Sequence, residues 1–241
     1  MSRQNEIYCL EKVKSCFFRC EQAKIEFNNS DVLIEKILLS SRDNKNNNDF
    51  PDFFFDGGII EHFQVTASAE TKKGSSFRIE EEQNKKQAEE NFRKADKEFQ
   101  NSKHVPNTFS VAENLDEYEN FSYEAFLFSF KKNFINHYQS LIKSDFLGKT
   151  VVFLIEQDDS RLGIWNGNTF LRFYSIHEDK NVLEFLKEYS NQVRIIIFIA
   201  VDGIEIIDLS KIDSLLSKAK SNLDIRSGHS KHLQLKIYLD I

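Results

Sequence analysis

No stretch of about 18 apolar residues occurs anywhere in the 241 residues, so a membrane-crossing helix is not expected. The start, Met1-Ser2-Arg3-Gln4-Asn5-Glu6, lacks the apolar run of an export signal. Cysteine is scarce and odd in number, three in all, which together with the missing signal argues against disulfides. These absences lead to the expectation of a cytoplasmic protein. Cys9, Cys16 and Cys20 would share one stripe of a helix and read as small apolar side chains facing a core. No second arm with paired ligands follows them, so a zinc site is not expected. The familiar catalytic loops are missing too. Gly163-Ile164-Trp165-Asn166-Gly167 lacks the Lys-Ser/Thr and the following helix of a phosphate loop. There is no G-x-S-x-G elbow, no dinucleotide fingerprint and no local Cys-His signature. Positive charge is in deficit, 32 Lys and Arg against 38 Asp and Glu, a net of −6. That balance counts modestly against a nucleic-acid binder. Basic residues do gather locally: Lys211, Lys218, Lys220, Arg226, Lys231 and Lys236 face only Asp213, Asp224 and Asp240, a local +3.

What is present suffices for a substantial core. Apolar residues make up 40% of the chain, and its 23 Phe residues read as coding bias more than as a functional signature. Three-to-four spacing predicts helices over 5–24 and 31–41, with a polar loop at 42–49. Two short strands follow, reaching about Ser68. Residues 78–101 read as a highly charged helix, with Glu81–Lys85, Glu82–Lys86, Glu89–Arg93 and Glu90–Lys94 in the stabilising order. Its thin apolar stripe includes Phe92 and Phe99, which suits a solvated helix or an arm that docks on a protein partner. An irregular connection follows to about 121, then a helix at 122–144 with Phe126, Phe130, Phe134, Tyr138 and Leu141 on one face. Strands are expected at 150–156, 169–174, 193–201 and 204–208, helices near 181–191 and 211–220, and an end strand near 233–239. The nearly unbroken apolar runs at 151–155 and 195–199 predict a sheet covered on both faces. With no repeat and no boundary, the expectation is one α/β domain over 1–241 with a charged helical elaboration at about 78–121.

The stretch Asp49 to Thr66 carries the chemistry. Asp52 follows Pro51 on one short strand, Gly57-Gly58 turns the chain, and Glu61 precedes His62 on the next. An unpaired carboxylate inside an apolar strand costs several kcal/mol, so two of them on neighbouring strands call for a cation between them. A divalent metal is the simplest candidate. The bland alternative is that Asp52 ends a strand and that Glu61 pairs with a lysine or with His62, itself read as a packed histidine. Glu156-Gln157-Asp158-Asp159, at a strand end, could bind a cation, but an exposed cluster of turn acids is the commoner explanation for such a run.

Pro51-Asp52-Phe53 followed by Glu61-His62-Phe63 resembles the PD-(D/E)XK, or restriction-endonuclease-like, superfamily over about residues 5–156. The resemblance implies a mixed central sheet flanked by helices, with the acids on neighbouring strands. It also implies Mg²⁺ on Asp52 and Glu61, DNA as substrate, and a restriction or phage-defence setting. Glu11 or Glu6 on the first helix would add a further acid. The motif departs at Phe63, which takes the place of the expected lysine. Lys72, Lys73, Lys131 and Lys132 are substitutes, and Gln64 belongs to the same strand. A rival parsing takes Glu70-Thr71-Lys72 as the acid-x-lysine. For the first strand of the fold the candidate is Lys24-Ile25-Glu26-Phe27. The alternative function is a catalytically inactive nuclease-like fold serving protein interaction. Catalysis requires the two carboxylates within about 5 Å around a space that admits a lysine; Phe63 or a salt bridge there marks the inactive form.

Overall fold

The computed structural model describes residues 3–19, 25–27, 31–45, 50–68, 121–157, 162–200 and 203–227. It is a mixed α/β protein, as the alternation of apolar strands and periodic helices predicts. The helices are α1 (Arg3–Arg19), α2 (Asp31–Ser40), α3 (Tyr123–Ile142), α4 (Lys180–Lys187) and the short α5 (Ile212–Leu216). Among the described residues seven strands form the main sheet: β1 (Ile25–Phe27), β2 (Arg42–Asp43), β3 (Phe53–Phe55), β4 (Gly58–Val65), β5 (Thr150–Gln157), β8 (Ile195–Ile199) and β9 (Ile204–Asp208). Their order is β1-β9-β8-β5-β4-β3-β2. A separate antiparallel sheet joins β6 (Leu162–Asn166), β7 (Thr169–Phe173) and β10 (Asp224–Ser227).

The centre of the main sheet is parallel, β4 beside β5 and β5 beside β8. Such strands are buried on both faces, and the side-chain period of two sorts their residues. Val151, Phe153 and Ile155 of β5 join α3 and α4 in one core, while Val152 and Leu154 join α1 and α2 in the other. The Ser122 side chain accepts from the Ala125 N–H and starts α3, whose Phe126, Phe130 and Phe134 are fully buried. Each of these rings contributes roughly 2 kcal/mol of burial. On the other face Cys9, Leu10 and Val13 of α1 and Ile34, Ile37 and Leu38 of α2 close the second core.

Two expectations about strands need correction. Arg42 and Asp43 lie within the polar tract read as loop, yet they pair with Phe54 and Phe53. The Asn44 side chain, donating to the Pro51 carbonyl at 2.8 Å, holds them there. Ile25–Phe27 do form a strand, but it runs parallel to Ile204–Ile206 at the edge far from β3. The helix at 211–220 is shorter, preceded by a 3-10 turn at Leu209–Lys211. The charged segment at 78–101 and the end strand near 233–239 lie outside the described residues.

Candidate functional site

The β3–β4 pairing sets the acids. Phe53 opposes Ile60, which brings Asp52 across from Glu61 where the hairpin opens. The Asp52 N–H donates to Glu61 Oε2 at 3.2 Å, and the His62 N–H donates to Asp52 Oδ2 at 2.7 Å. The two carboxylates thus extend the ladder beyond its last backbone pair. Glu61 is only 6% exposed. Its other oxygen, Oε1, lies 2.7 Å from Nδ1 of His137 on α3. Phe63, two residues along the same face of β4, stacks on the His137 ring at 4.6 Å and 16°. The place where the motif expects a lysine is therefore filled by an aromatic ring pressed on a histidine that is hydrogen-bonded to Glu61.

The next residue along β4 faces the opposite side. His62 and Gln64 point with Ile60 toward α1, where they meet Glu156 of β5. Gln64 Nε2 donates to Glu156 Oε2 at 2.8 Å and Asn5 Nδ2 donates to the same oxygen at 3.0 Å. His62 Nε2 sits 3.5 Å from that oxygen, a contact and not a hydrogen bond, and among the described residues neither ring nitrogen of His62 has a hydrogen-bond partner. Burial pushes the Glu156 carboxyl up, but the His62 ring, the Gln64 amide and the Cys9 thiol outweigh it and hold it down at about 2. Cys9 of α1 completes the group: one ligand atom each from Cys9, His62 and Glu156 lies within 4.8 Å of the others.

The other sequence candidates fall elsewhere. Glu11 is exposed and pairs with Lys14 at 2.9 Å. Gln64 is on the face opposite Glu61. Lys131 lies over the Phe185 ring and Lys132 over the Phe128 ring, each held by its own aromatic partner. Lys72, Lys73 and the Glu70-Thr71-Lys72 parsing lie outside the described residues. Sequence reasoning missed His137, although it follows Phe134 by three residues and so borders the buried stripe of α3. Glu156 falls in β5, within the expected strand, but it is not the exposed turn acid expected there: its side chain is only 16% exposed, because the strand runs one residue past it to Gln157.

A Ser-His-Glu set at the far end of the sheet has the residues of a catalytic triad and the wrong geometry. Ser175 Oγ (2.6 Å) and Glu205 Oε2 (2.7 Å) both meet His177 at Nδ1. A relay needs the hydroxyl and the carboxylate on different ring nitrogens. Glu205 also accepts from the Ile176 and His177 N–H groups, so it anchors a 3-10 turn.

Asp52 and Glu61 offer the hard oxygen donors that Mg²⁺ takes. Three of their four oxygens, however, already meet the Asp52 N–H, the His62 N–H and the His137 ring. Among the described residues only Cys9, His62 and Glu156 gather three ligand atoms at ligand spacing. The acid pair as folded does not fit a Mg²⁺ site. No protein-family model, no curated protein and no solved structure matches the chain.

Proposed function

We propose that this chain is a restriction-endonuclease-like protein that acts by binding a protein partner and does not cut nucleic acid. The chain path supports the fold reading. Helix α2, the antiparallel strands β2, β3 and β4, helix α3 and the parallel strand β5 follow one another as the resemblance implies. One observation carries the functional reading: Glu61 is bonded to His137 beneath the Phe63 ring, in the space that a metal and a lysine would need. The acids serve as a cross-strand clasp. The charged 78–101 segment is the proposed docking arm, and Phe92→Ser with Phe99→Ser is expected to abolish partner capture. The test of the first part is incubation of the full chain with duplex DNA, single-stranded DNA and RNA in Mg²⁺ or Mn²⁺. No product is expected.

A second reading, a Mg²⁺-dependent DNA nuclease, has one specific observation in its favour. Asp52, just before β3, and Glu61 of the antiparallel β4 are hydrogen-bonded neighbours, close to the arrangement that the family uses for catalysis. Under that reading Lys72 supplies the missing amine and Glu61→Ala abolishes cleavage.

A further inference from the structure

We infer that Cys9, His62 and Glu156 form a binding site for a thiophilic divalent ion, of which zinc is the leading example. The site lies on the α1 face of the sheet, away from the Glu61–His137 pair, and does not depend on the reading of the acids. Three observations converge on it. The three ligand atoms come from three elements, α1, β4 and β5, and lie within 4.8 Å of one another. The ligands of a tetrahedral zinc ion stand about 3 to 4 Å apart, so only a small contraction separates this set from a coordination shell. Secondly, His62 is 4% exposed and, among the described residues, both of its ring nitrogens lack a hydrogen-bond partner. At Nδ1 such a histidine loses its hydration and recovers nothing, while Nε2 keeps only the 3.5 Å contact with Glu156 Oε2. A metal bond at one nitrogen is the partner that this geometry lacks. Thirdly, Glu156 is oriented from outside the set by the Asn5 and Gln64 amides, both donating to Oε2. Outer partners of this kind hold a ligating carboxylate in place.

The donor set decides the class of ion. Mg²⁺ and Ca²⁺ take oxygen ligands, whereas a thiol and an imidazole beside one carboxylate select zinc or a similar transition ion. The Cys9 thiol, which faces Glu156, binds as thiolate and its proton passes to solvent. Three protein ligands would leave one position of a tetrahedral ion for water. Bound there, the ion ties α1 to the two central strands.

The full chain, purified without chelating resin and dialysed against zinc, is expected to retain about one ion per chain by elemental analysis. Replacement by cobalt is expected to produce a thiolate-to-cobalt charge-transfer band. Cys9→Ser removes that band, and Glu156→Gln and His62→Gln lower retained zinc at least about tenfold. Cys16→Ser and the double variant Asp52→Asn with Glu61→Gln keep both signals. Zinc raises the thermal midpoint of the wild type and leaves that of Cys9→Ser unchanged. Absence of the cobalt band in the wild-type chain overturns the proposal, even if every variant fails to fold. So does full zinc retention by a folded Cys9→Ser chain.

Discussion

Glu61 is a buried carboxylate whose two oxygens serve two different elements, the β3 backbone through Asp52 and helix α3 through His137. Truncating it strands a backbone N–H and an imidazole together. Glu61→Ala is therefore expected to cost about 2 kcal/mol and lower the thermal midpoint by about 5 °C. Glu61→Gln keeps an acceptor for the Asp52 N–H and costs less. A residue kept for catalysis behaves oppositely, since removing a crowded catalytic acid tends to stabilise the fold. A rise in midpoint for Glu61→Ala would argue for the nuclease reading. A second buried carboxylate, Asp179, accepts from the Tyr174 and Tyr123 hydroxyls at 2.6 and 2.7 Å. Burial, and then the Asp179 charge, raise the Tyr174 hydroxyl well above its ordinary value of 10.0. The folded chain holds that proton after the unfolded chain has released it. The stabilisation is thus complete below pH 10.0 and is lost as pH rises above it. Urea titrations across alkaline pH should show that loss in the wild type and a flatter profile in Tyr174→Phe.

The β3–β4 hairpin sets the positions of both Asp52 and Glu61, and two glycines make it. Gly57 has φ +96°, a left-handed conformation costly for any other residue. Gly58 has a different constraint: a Cβ there would stand 2.0 Å from the Thr150 carbonyl oxygen and 2.3 Å from the Phe55 ring. Gly58→Ala must push β4 away from β5 and is expected to cost about 3 kcal/mol, against about 1 kcal/mol for Gly57→Ala. Equal losses in the two variants, read by chemical denaturation, would contradict this account of the close approach. Much of this element structure was legible in the residues. The apolar runs of β5 and β8 announced a sheet covered on both faces, and the Phe126-Phe130-Phe134 spacing announced the buried side of α3. The acid pair and the departure at Phe63 were legible as well. The partners were not, because they come from distant chain: His137 is 76 residues from Glu61, Glu156 is 92 from Gln64, and Asn5 is 151 from Glu156. No local period encodes such meetings. The two-residue strand β2 was hidden for another reason, since Asn44 and backbone pairing hold it in place of apolar content.

At the scale of the whole molecule, charge and topology point in different directions. The order of strands and helices suits a nuclease-like fold, while the net charge of −6 gives no general attraction for a phosphate backbone. The site follows the charge. One face of β4 spends its acid on a histidine and its expected lysine position on a phenylalanine, and the other face gathers a thiol, an imidazole and a carboxylate. On the proposed reading the acids hold the hairpin together and do not cut. The most direct measurement is cleavage of supercoiled plasmid DNA by the full chain in Mg²⁺ and in Mn²⁺, with Glu61→Gln in parallel. The expected result is intact plasmid in every lane, with both proteins folded by circular dichroism. Metal-dependent nicking by the wild type that disappears in folded Glu61→Gln would contradict the account and restore Asp52 and Glu61 as catalytic residues.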